Sequence, residues 1–127
     1  MITENQITET RIDFSHLLGT WINTYDASKN IGSFKLTAED NQLIISVNGV
    51  DNGVSPGEWG TVICKTLAYS PEKDKAVAFI ANYDLNFMNA SLSVNTNKGI
   101  LIIAGSCTFK DGSGRSDYFF REFYFLQ

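Results

Sequence analysis

The chain has 127 residues, enough to close one hydrophobic core as a single domain without disulfide staples. Its 43% hydrophobic and 13% aromatic content, with ten glycines and two prolines, excludes a disordered or collagen-like chain. Fourteen acidic against ten basic residues give a net charge of −4, and no Lys/Arg cluster could track a phosphate backbone. No nucleic acid is therefore expected as a partner, and no run nears the about 18 apolar residues that membrane insertion by a helix requires.

Residues 1–11 are polar and carry Glu4, Glu9 and Arg11. They do not read as a secretory signal, so the cytoplasm is the expected location, although a mature secreted form would read the same way. Residues 14–18 predict one short helical turn stopped at Gly19, which makes 1–18 a lead segment and 19–127 the folded domain.

From there β-branched and aromatic runs alternate with turn residues, and no longer segment keeps a helical period. Strands are predicted at 20–25, 31–37, 42–50, 60–69, 76–83, 90–95, 100–110 and 116–126. The connections are mostly hairpin-length and rich in Asn, Asp, Gly and Ser, which tolerate turn dihedrals. Segment 51–58 is longer and could fold over an open end as a lid. The fold class is all-β, a single antiparallel up-and-down β-barrel of about eight strands with a short N-terminal helical turn.

Alternate residues of a barrel strand face opposite sides. The strands around Val62 to Leu67 and Ile100 to Gly105 are apolar on both, so part of the outer wall should be covered, and a homo-oligomer is expected. Cys64 and Cys107 lie in apolar strand patterns and read as buried free thiols. His16 stands alone, and no ligand spacing points to a metal.

The stretch Leu18-Gly19-Thr20-Trp21 resembles the Gly-x-Trp signature of the calycin barrels, the superfamily of lipocalins, fatty-acid-binding proteins and avidins. The resemblance implies that Trp21 plugs the barrel floor and that a basic residue of the last strand, here Arg121, stacks across it. Gly19-Thr20-Trp21-Ile22-Asn23 is more like the avidins, which would give Asn23 a ligand-contacting role. The likeness then fades: the position of the avidin serine holds Ala27, with Ser28 one later, and only Trp59 remains of the further tryptophans.

Trp21, Asn23 and Tyr25 share one strand face, and Asn82, Asp84 and Asn86 share another. Together with Trp59 beside Glu58, and with Arg121, these side chains are the candidate ligand-binding set. Acid/base chemistry would fall to Asp84, Glu58, Glu122 or Tyr83, because burial can raise a carboxyl pKa toward neutrality. The expected function is binding of a small, largely apolar molecule inside the barrel, without a cofactor. The alternatives are a cofactor-independent cyclase or isomerase acting on an apolar intermediate, and a lectin-like or inhibitor module.

Overall fold

A computed structural model describes residues 12–51 and 56–127. Nine strands form one sheet: β1 (Gly19–Asn23), β2 (Ile31–Glu39), β3 (Gln42–Gly49), β4 (Glu58–Ile63), β5 (Lys65–Ala68), β6 (Ala76–Asp84), β7 (Met88–Asn97), β8 (Ile100–Phe109) and β9 (Tyr118–Leu126). All the pairings between these strands are antiparallel, in the order β4-β3-β2-β1-β9-β8-β7-β6-β5.

The two outermost strands are consecutive in the chain. The predicted strand 60–69 is a single bent segment, interrupted at Cys64: its first half pairs with β3 and its second half with β6. Cys64 N–H donates to Leu43 O at 2.8 Å, so the bend keeps one bond to the first sheet edge while the chain crosses to the other. The result is a nearly closed up-and-down barrel, with nine strands where about eight were expected because one strand serves both edges.

Local chemistry sets the turns. Asp40 and Asn41, at φ 52° and 63°, form the two-residue left-handed loop that matches strand twist, and Lys98-Gly99 does the same between β7 and β8. β7 shows the clearest alternation: Met88, Ala90, Leu92 and Val94 are buried, whereas Asn89, Ser91, Ser93 and Asn95 are exposed. The expected helical turn is a 3-10 turn, Ser15–Leu17, with Leu17 buried under the barrel.

Residues 12–18 do not lie along the outer wall. Asp13 bridges to Lys75, Ala76 N–H donates to Asp13 O at 2.8 Å, and His16 Nε2 sits 2.8 Å from Ala76 O. Residues 12–18 therefore plug the barrel end that also carries the β2–β3 and β7–β8 turns. The opposite end carries the loops after β1, β3, β6 and β8. Between the ends the axis is filled by Phe34, Leu36, Ile45, Phe79, Leu92, Ile103 and Tyr124, all nearly inaccessible to solvent.

Candidate functional site

Trp21, whose parity the sequence leaves open, points into the barrel and is buried. Its indole N–H donates to Leu17 O at 2.9 Å and its ring stacks on Phe34, with centroids 6.4 Å apart and 11° between planes. The glycine two residues before it is dictated by geometry. Gly19 has φ +133°, and a Cβ there would stand 2.8 Å from Leu126 Cδ1 on β9.

Asn23 also points inward, but its amide is used by the fold. Nδ2 donates to Ile31 O at 2.9 Å and to the Tyr124 hydroxyl at 3.3 Å, and Oδ1 accepts from Tyr25 N–H at 2.8 Å. That last bond is an Asx turn, which ends β1 and swings Tyr25 out to 58% exposure. Tyr25 does not line the interior, because the strand stops before it.

Arg121 corrects the floor-closing expectation. The inward row of β9 is Tyr118, Phe120, Glu122 and Tyr124, so Arg121 faces outward and lies 5.1 Å from the Phe123 ring centroid on its own strand. The guanidinium that covers interior-facing rings is Arg115, at the opposite end. It lies 4.2 Å over Phe109 and 5.6 Å from Phe87, and its Nη2 is held by Asp111 at 2.9 Å. Phe109, Tyr118 and Phe120 continue this aromatic ladder into the core.

The acid/base candidates are scattered. Glu58 and Asp84 are exposed, and Asp84 is paired to Lys110 Nζ at 2.7 Å, which holds its carboxyl below the usual range. Tyr83 is buried against Trp59, 5.4 Å away in edge-to-face geometry, and its hydroxyl donates to backbone oxygens of Gly60 at 2.9 Å and Ile45 at 3.3 Å. Burial pushes its phenol upward. Of the three candidate carboxylates Glu122 is the one on an inward row, where its Oε1 accepts from Ser28 Oγ at 2.8 Å and Asn30 Nδ2 at 3.3 Å. These bonds latch the β1–β2 loop over the interior. Burial likewise raises the Cys64 thiol to about 12, and both cysteines are buried and unbridged.

No family model, curated protein or solved structure matches this chain.

Recesses also lie outside the filled axis. One, of about 880 Å³, lies at the plugged end between residues 12–18, the β2–β3 hairpin and the Cys64 bend. Ile12, Phe14, Leu18, Leu43, Ile63 and Cys64 give it apolar surface, and Glu39 to Gln42 give it a polar rim. Another, of about 430 Å³, lies on the outer wall of β6, β7 and β8, and Asn82 and Asp84 belong to it rather than to the interior. Asn86 is exposed in the turn beyond.

The sequence reading missed the first recess. Its one signal was the strand around Val62 to Leu67 without a wet face, since Ile63 is 57% exposed and borders this space. Half of the proposed lid 51–58, residues 52–55, lies outside the described residues.

Proposed function

We propose that the protein is a non-catalytic, calycin-like binding barrel for a small, largely apolar molecule, held at the plugged end rather than along the axis. What carries this reading is the 880 Å³ recess, a size suited to a small ligand, in which aliphatic and aromatic side chains meet a polar rim. The filled axis and the spent amide of Asn23 direct the ligand there. The inward Trp21 above a 3-10 plug supports the calycin likeness.

Thermal unfolding with medium-chain alcohols, fatty acids and a terpene tests the proposal. At least one should raise the melting temperature by mass action. Ile63→Lys, at an already exposed position, should weaken that ligand about tenfold or more, because a charge replaces apolar contact. No shift with any member, or an undiminished shift in the variant, overturns it.

The homo-oligomer belongs to the same proposal. Phe123 and Phe125 are part-exposed on the outer face of β9, where a second copy would cover them. Sedimentation equilibrium should show more than one chain, and a monomer throughout the accessible concentration range contradicts it.

A further inference from the structure

The outer wall of β6, β7, β8 and β9 carries a second, chemically different surface. Strand register sets Asn82 opposite Ser91, Ser91 opposite Ser106, and Ser106 opposite Phe119. One step nearer the strand ends, Asp84, Asn89 and Thr108 form a second row. These positions alternate with the buried row of each strand, so all of them face outward.

The middle members of the row, Ser91 and Ser106, are short, and the larger Phe119 and the Asp84–Lys110 pair lie to either side in the register. Phe119, 64% exposed, pairs with the recess residue Ser106 and shares its outer face. The side chains of Asn82, Asn89, Ser91, Ser106 and Thr108 make no hydrogen bond to any described residue. Three hydroxyls and two amides, each able both to donate and to accept, thus converge on about 430 Å³. The one carboxylate lining the recess is paired with Lys110 at 2.7 Å.

We propose that this outer recess binds a neutral carbohydrate. A sugar ring presents hydroxyls that donate and accept along its edge and a C–H face that packs on an aromatic ring. Hydroxyl and amide side chains spaced about 4.8 Å apart across neighbouring strands would meet the edge, and Phe119 the face. The site is separate from the recess at the plugged end.

The test is an amide-resolved NMR titration of the full chain with methyl glucoside, methyl galactoside, methyl mannoside, N-acetylglucosamine, cellobiose, maltose, lactose and chitobiose, with glycerol as control. At least one saccharide should give saturable shifts centred on Asn82, Asn89, Ser91, Ser106 and Phe119 that glycerol does not reproduce. Phe119→Ala should weaken it about tenfold, and Ser91→Tyr, which fills the recess from an exposed strand position, should abolish it with spectral dispersion retained. Absence of saturable shifts across the panel, shifts centred elsewhere, or wild-type binding by both variants overturns the proposal.

Discussion

Gly105 shows how finely single side chains are matched here. It lies opposite Phe120 on β9, and a Cβ at that position would stand 2.3 Å from the ring's Cε1. Phe120 is itself wedged among the core aromatics, so the ring has little room to yield. Gly105→Ala should lower stability by about 1–3 kcal/mol through overpacking, read from urea unfolding, whereas an unchanged midpoint would show that the ring moves freely. At this scale the sequence was legible in the shared parity of Trp21 and Asn23, which follows from the strand, whereas Gly19, expected only as the stop of a helical turn, opens β1 with a φ and an approach to Leu126 that suit glycine alone. Arg121 was not legible. Its strand reads Phe119, Arg121, Phe123, Phe125 on one face and Tyr118, Phe120, Glu122, Tyr124 on the other, and two rows of such similar polarity do not reveal which is inside.

Among the elements, the loop between β1 and β2 is held by one carboxylate. Glu122 accepts from both Ser28 and Asn30, and Ser28 is buried. Removing the acceptor strands the serine hydroxyl, at a cost of about 1–2 kcal/mol. Hydrogen exchange should therefore quicken over residues 24–30 in Glu122→Ala and stay near wild type in Glu122→Gln, which keeps an accepting oxygen. Equal protection in all three proteins would remove the latch. The elements themselves were largely readable, because turn chemistry and two-residue alternation mark them; β7 is the clearest case. The bend at Cys64 was not. An apolar stretch of Val62 to Leu67 fits one straight strand as well as two half-strands, and only the closure of the sheet decides between them. Tyr25 failed for a similar reason, since the Asx turn at Asn23 ended β1 before its alternation reached that residue.

Across the molecule, burial of acidic groups ties stability to alkaline pH. The Cys64 thiol rises from 9.0 to about 12 and the phenols of Tyr83, Tyr118 and Tyr124 are all raised, chiefly by burial. Above the ordinary thiol value of 9.0 the unfolded chain releases protons that the folded barrel retains, so its stability falls as pH rises. Unfolding free energy should be insensitive to these groups below about pH 9 and decline above it, and in a Tyr25→Phe, Tyr69→Phe variant, which leaves only the three phenols raised by burial, tyrosinate absorbance should appear together with loss of structure. Tyrosinate formed in that variant at the ordinary phenol pKa with the barrel intact would contradict that. The whole-molecule fold class was legible because eight short runs joined by hairpin turns have few ways to bury both edges. The filled axis was not, because a closed barrel invites a ligand along it, and here side chains occupy that space.

That last point decides the functional account, and methyl NMR on the ligand that raises the melting temperature addresses it most directly. The methyls of Ile12, Leu18, Leu43 and Ile63 around the plugged-end recess should shift and show contacts to the ligand, whereas those of Ile45, Leu92 and Ile103 on the axis should stay in place. Ligand contacts to the axial methyls, with the recess unperturbed, would contradict it.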